Sequence, residues 1–338
     1  MSQTIDIKTK KIIPKQDQKF NKALVLENLE RNILSHWDTW GKFQQAWTGR
    51  AYKAFHDLDK YVILIYLIRG SWQNLADKFE YLSMDEYYEL EYVKIDKINL
   101  IQISNDLNIP KETIRRKVNE LQNSGMLKRE GKSIIFNRKG IETQKPNSSV
   151  DLLSMFIEKK SKMLQGQEWF GDGLEKDYIV GFIKKYFTII WLRFFKMQIP
   201  FLTRHRQVFE DLETWIVWGN IALSHQYHLA KAAGNNLITE PITLKSYYSN
   251  VADVKVERGI NASSIADISR IPRATVIRKL KWLVKQDCIK KNKNLEYQMK
   301  KGGKLNKKIA DNFLLNQNTV AEFLTEIFDY MKNSKFKL

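Results

Sequence analysis

The sequence predicts a mainly α-helical chain with small β-hairpins (α+β), in which one arrangement of helices, hairpin and helix is used twice. Three observations carry that expectation. In ISNDLNIPKETIRRKVNEL, Ile103 to Leu121, the apolar residues Ile114, Val118 and Leu121 fall at spacings of four and three, one stripe of a helix. Pro110 suits the start of that helix, where its missing N–H has no intrahelical partner to lose. Second, sliding the chain by 162 positions makes nine of 24 ungapped positions identical, and internal repeats come before any assignment of fold. The matches include Ile98 with Ile260, Asn99 with Asn261, Ile103 with Ile265, Ile109-Pro110 with Ile271-Pro272, Thr113 with Thr275, Arg116-Lys117 with Arg278-Lys279, and Leu121 with Leu283. Third, each basic helix is followed by strand, tight turn and strand, from Met126 and from Cys288. A fainter echo at a shift of 154 sets FHDLDKYVILIYL, from Phe55, beside FEDLETWIVWGNIAL, from Phe209.

Taken in order, residues 1–20 are polar, rich in Lys and Gln, and read as a loose arm. Residues 21–95 carry helical patterns, including KALVLENLERNILSHW, AYKAFHDLDKYVILIYLI and the acidic MDEYYELEYV. The first basic module fills 96–141, with Gly131-Lys132 at its turn. Residues 142–149 read as the linker, with Ser148 or Ser149 as an N-cap for the helix DLLSMFIEKKSKML. The second unit repeats the order: helices over 150–257, the basic module over 258–308 with Asn292 to Asn294 at its hairpin tip, and a closing helix over 309–338.

The chain has 338 residues and 43% apolar residues, enough for roughly two cored domains. No apolar stretch approaches the ~20 residues that cross a bilayer. The N-terminus lacks the apolar core of a signal peptide, so a cytoplasmic, nucleoid-associated protein is expected. A single cysteine, Cys288, excludes an internal disulfide or a Cys-based zinc site and reads as a small apolar filler at a strand start. The net charge is +18, and its distribution is more informative than its size. Residues 96–140 hold ten Lys/Arg against five Asp/Glu, and 258–308 hold fifteen against three. Nearly the whole excess therefore sits on the two basic modules, which points to a polyanion.

The order of strand, helix, turn, basic helix and hairpin resembles the bacterial winged helix-turn-helix regulators, MarR-like ones in particular. The resemblance implies double-stranded DNA as partner, with the second helix of each module in the major groove and the hairpin, the wing, on the neighbouring backbone. By matching position, recognition helix 1 offers Lys111, Glu112, Thr113, Arg115 and Arg116, and recognition helix 2 offers Arg273, Ala274, Thr275, Ile277 and Arg278. The wings offer Lys128, Arg129, Lys132 and Arg138, and Lys290, Lys291, Lys293, Lys300 and Lys301. Those regulators are homodimers. Here both copies share one chain, which implies a monomeric, fused pseudo-dimer about a pseudo-twofold axis.

The expected function is a sequence-specific DNA-binding transcription regulator with two non-identical heads. A replication initiator of plasmid or phage type, with tandem winged helices, and a non-specific architectural protein are the alternatives. No enzyme is expected, because no phosphate-cradling Gly loop, Gly-x-Ser-x-Gly elbow or His-Glu-x-x-His motif occurs. No cofactor is expected, and no metal, since His225 and His228 lack a carboxylate or cysteine cluster in sequence. Trp37, Trp40, Trp47, Trp72, Trp169, Trp191, Trp215 and Trp218 read as core or pseudo-dimer interface, with a small-molecule effector pocket as the other reading. Asp57, Asp59, Asp211 and Glu213 recur at matching positions beside apolar helices, which favours caps or fixed salt bridges over acid–base work.

Overall fold

The computed structural model describes residues 20–78, 80–95, 99–130, 133–137, 147–164, 170–233, 256–300, 305–334 and 336–337. Three helices open it. Helix α1 (Lys22–Arg31) starts where the Asn21 side chain accepts from the Ala23 N–H. Helix α2 (Ile33–Phe55) stops at His56, which takes a left-handed φ of 51°. Helix α3 (Leu58–Asp77) is capped by Asp57, whose carboxylate accepts from the Lys60 N–H at 3.1 Å. Short α4 (Met84–Glu89) carries a capping box from Ser83 and Glu86.

Next come β1 (Tyr92–Ile95), α5 (Leu100–Leu107), α6 (Lys111–Asn123), β2 (Leu127–Glu130) and β3 (Ser133–Asn137). The three strands form one antiparallel sheet in the order β1-β3-β2, with Val93 opposite Phe136 and Leu127 opposite Phe136. Helix α7 (Asn147–Met163) leads to α8 (Lys176–Lys185), α9 (Phe187–Phe209) and α10 (Leu212–Ala233). Helices α1, α2 and α3 start at 22, 33 and 58, and α8, α9 and α10 each start 154 residues later. Beyond them lie α11 (Ala262–Ser269), α12 (Arg273–Lys285), β4 (Ile289–Lys291), β5 (Tyr297–Met299) and α13 (Asn306–Asn333). Strands β4 and β5 pair antiparallel, and a single bridge from Ile260 to Tyr297 stands where β1 stands in the first sheet.

Packing follows an exchange rule. Helix α3 lies on α9 and α10 on α2; α7 lies on α2 and α8, and α13 on α9 and α1. Aromatic rings fill the seams, Phe43 stacking on Phe156 at 4.7 Å and Trp72 on Phe195 at 5.3 Å. At the centre the buried amides of Gln44 and Gln198 bond each other reciprocally, at 2.9 and 2.8 Å, so neither polar group is stranded.

Several boundaries differ from the sequence expectation. Strand β1 falls within 21–95, the range read as helical, because alternating Val93 and Ile95 are buried against the hairpin. Helix α7 begins at Asn147, so Ser148 and Ser149 lie inside it rather than capping it. Helix α13 begins at Asn306, inside the range given to the second basic module. Residues 1–19, 142–146 and 234–255, with Trp169, lie outside the described residues.

Candidate nucleic-acid interface

Each basic helix is set by a short, well-satisfied turn. In the first module the Asn99 side chain accepts from the Ile101 and Gln102 N–H groups at 3.1 and 3.2 Å, and α5 ends on Asn108 at φ 49°. The Ser104 hydroxyl then donates to the Ile109 carbonyl at 2.7 Å, and Pro110, at φ −52°, starts α6. The second module repeats this: Asn261 accepts from Ser264 N–H, Arg270 sits at φ 63°, and Pro272 again at φ −52°. Asparagine tolerates the left-handed conformation well, whereas an arginine there carries some strain. Ile103, Leu107, Ile109, Ile114, Val118, Leu121 and Leu127 are buried in the first module, fixing which face of α6 turns outward.

On that outer face Lys111, Glu112, Arg115 and Arg116 are exposed and Thr113 is half-buried. Arg115 pairs with Glu112 at 2.5 Å, and Arg116 lies 3.8 Å from Glu120, both within the helix. On α12, Arg273, Ala274 and Arg278 are exposed while Thr275 and Ile277 are half-buried. Arg273 donates to the Ser263 hydroxyl at 3.1 Å. Arg278 has no ion pair among the described residues. Of the wing residues, Lys128, Arg129, Lys290, Lys291 and Lys293 are exposed. Lys300 differs: it pairs at 2.5 Å with Asp287 in the turn between α12 and β4, so part of its charge is already answered. Lys132, Arg138 and Lys301 lie outside the described residues. In the second wing Asn292 holds the turn by accepting from the Asn294 and Glu296 N–H groups, which leaves Leu295 63% exposed at the tip, an apolar side chain the charge pattern did not single out.

The sequence also missed what fastens the modules to the helical body. Lys117, nearly buried on the inner side of α6, bonds the Asp57 carboxylate at 2.6 Å and Glu120 at 3.1 Å. Burial pulls its amine down, but Asp57 and Glu120 outweigh it and the net shift is upward. Lys279 on α12 bonds Asp211 in the same way, and Asp211 also accepts from the Thr214 N–H at 2.7 Å as the cap of α10. Matching lysines and matching aspartates, both visible in the sequence, thus tie each basic helix to a helix N-terminus. The neighbouring acidic pair is unequal. Asp59 is held by Arg206 at 2.8 Å, and Arg206 also reaches the Asn108 carbonyl at 3.3 Å. Glu213 faces Tyr52 rather than an arginine; burial, then the charges of Asp211, Asp57 and Asp59, push its carboxyl up to about 7.

This geometry of strand, helix, turn, exposed basic helix and hairpin has a counterpart among known domains. Residues 90–133 match the DeoR-like helix-turn-helix domain. The match spans β1, α5, α6 and β2, so it takes in the strand that the periodicity alone had read as helix. It supports a winged helix-turn-helix DNA-binding head in the first module, with α6 as the helix presented to DNA. No curated protein and no solved structure matches the chain. Among the described residues no group of three His, Cys, Asp or Glu is placed to hold a metal ion, and no helix is long and apolar enough to cross a membrane. Cys288 is buried beside the Leu283 carbonyl, with burial pushing its thiol up to about 12, far from a reactive thiolate.

Proposed function

We propose that the chain is a sequence-specific DNA-binding regulator of transcription that lays two non-identical winged heads on one duplex. The observation that carries this reading is the recurrence of the DeoR-like head. Helix α12 starts 162 residues after α6, with the same 13-residue length, the same preceding proline and the same lysine–aspartate tether. The reciprocal Gln44–Gln198 pair and the exchanged helix packing support a tandem duplication folded as a pseudo-dimer. Heads carried between helices that precede and follow them also suit the MarR-like resemblance.

On this reading Arg116 and Arg278 contact phosphate or guanine, and Lys111, Glu112, Thr113 and Arg115, with Arg273, Ala274, Thr275 and Ile277, face base edges. Lys128, Arg129, Lys290, Lys291 and Lys293 grip phosphates and give affinity without sequence information. The reading surfaces differ, Glu112-Thr113-Ile114-Arg115 against Ala274-Thr275-Val276-Ile277. The preferred site is therefore two unequal half-sites about one helical turn, or a multiple, apart. The protein acts as a monomer on cytoplasmic, nucleoid DNA and performs no catalysis.

Selection from a random duplex library, with affinities measured over a salt series, tests this. The expected result is a bipartite, asymmetric motif bound at least ~10³-fold more tightly than random DNA. Equal binding of all duplexes with a steep salt slope would replace the regulator by an architectural protein, and a perfect palindrome would remove the two-head reading.

A further inference from the structure

A cavity of about 100 Å³ lies between α2, α10 and the second head, lined chiefly by Trp37, Trp40, Phe201, Trp215, Trp218 and Phe313. Met299 of β5 closes one side of it. Three features set it apart from an ordinary packing gap. Its walls are aromatic faces, with Trp37 and Phe313 stacked. The polar side chains in its wall mostly have partners: Gln44 bonds Gln198, Gln45 accepts from Asn220, and Gln226 donates to the Leu34 carbonyl. The indole Nε1–H of Trp37 has none, although the residue is only 7% exposed. A buried donor without an acceptor is costly unless something supplies one.

The third feature is a broken symmetry. At the 154-residue offset, Gly41, Gly219, Ala222 and Gln226 of the cavity wall correspond to Phe195, Ile65, Ile68 and Trp72. In that other half, Trp72 and Phe195 stack with ring centroids 5.3 Å apart and planes 15° from parallel. Small residues thus stand only where α2 meets α10, and bulky ones fill the equivalent place where α9 meets α3.

We propose that this cavity is a binding site, one per chain, for a single-ring aromatic molecule that carries a hydrogen-bond acceptor. The ring lies among the tryptophans and the acceptor takes the Trp37 Nε1–H. An apolar cavity of about 150 Å³ holds benzene in another protein, so one ring is the appropriate size. The ligand presses on Met299 and hence on the second head alone. This regulatory part rests on the DNA-binding reading above; the site itself does not.

The test uses the full chain labelled with ¹⁵N at tryptophan indoles, and pyridine as probe, well above its own pKa. Pyridine is expected to shift the Trp37 indole N–H saturably, with Trp37→Phe identifying that resonance. Benzene, which lacks the acceptor, is expected to bind about tenfold more weakly to the natural chain, and Trp37→Phe to bring pyridine down to benzene's affinity. Ala222→Ile, which installs the residue of the other half, is expected to abolish binding of both probes while the remaining indole resonances stay in place. No saturable shift, or binding undiminished in Ala222→Ile, overturns the site. DNA affinity at saturating pyridine is expected to change severalfold in the natural chain and not in Ala222→Ile. Bound pyridine with unchanged affinity for a selected duplex overturns the regulation but leaves the site. A chain that binds pyridine yet has no preferred duplex overturns the regulator reading instead.

Discussion

Gln44 and Gln198, 154 residues apart in sequence, each donate an amide hydrogen to the other's carbonyl, at 2.9 and 2.8 Å, deep between α2 and α9. Equivalent positions that touch each other are what a twofold axis requires of a self-complementary contact. Removing either partner strands the other amide in the core. Gln44→Leu and Gln198→Leu are each expected to cost about 1–3 kcal/mol, while the double substitution recovers most of that loss. Urea unfolding of the four proteins measures this, and simple additivity of the two losses would refute the paired role.

Asp57 and Asp211 each do two jobs, capping a body helix and holding a lysine of a basic helix. Asp57→Ala is expected to lose about 0.5–2 kcal/mol from the cap alone and to release Lys117. Asp57→Asn keeps an acceptor for the Lys60 N–H and is expected to do less harm. Hydrogen exchange separates the heads: Asp57→Ala is expected to speed exchange in α6 and leave α12 unchanged, and Asp211→Ala to do the reverse.

Glu213 gives a pH signature. Its folded carboxyl is raised to about 7 against an ordinary 4.5, so between those values the folded chain holds more protons than the unfolded one. Stability contributed by the neutral carboxyl is therefore present below about 4.5 and is lost as pH rises through about 7. Glu213→Gln is expected to stabilise the protein by about 1–3 kcal/mol above that range, with the gain vanishing at acid pH. Denaturant midpoints of both proteins across this pH span decide it, and a gain that is constant with pH would contradict the assignment.

The basic residues divide into readers and grips. Arg278→Ala is expected to cost about 1–3 kcal/mol on the preferred duplex and to relax its sequence preference in one half-site. Lys290→Ala is expected to weaken all duplexes alike and to lower the salt slope by about one. Competition binding with single-base variants of the selected duplex, repeated over salt, distinguishes the two behaviours.

The heads were legible in the sequence because their turns depend on particular residues. Asn99, Pro110, Asn261 and Pro272 mark helix starts that the structure places where periodicity put them. The body was less legible. Packing there requires only that positions be apolar, so residues at the 154 offset drifted in identity while helix starts stayed fixed, and only the Phe55 to Leu58 echo survived inspection. Contacts between distant charges left no local trace. Lys160 reads as one of several solvated lysines in DLLSMFIEKKSKML, yet it is fully buried with its amine 3.1 Å from the His36 carbonyl, and burial holds that amine well below its usual value. Strand β1 was missed because a four-residue strand is too short for alternation to speak against a flanking helical pattern.

The central claim is that one chain sets two different heads on one duplex. Hydroxyl-radical footprinting of the selected duplex tests it most directly, with the natural chain and with the Arg273→Ala/Arg278→Ala double variant at equal saturation. The account predicts two protected patches about one helical turn or a multiple apart, of which the variant loses one and keeps the other. A single patch, or two patches weakened equally by the variant, would contradict it.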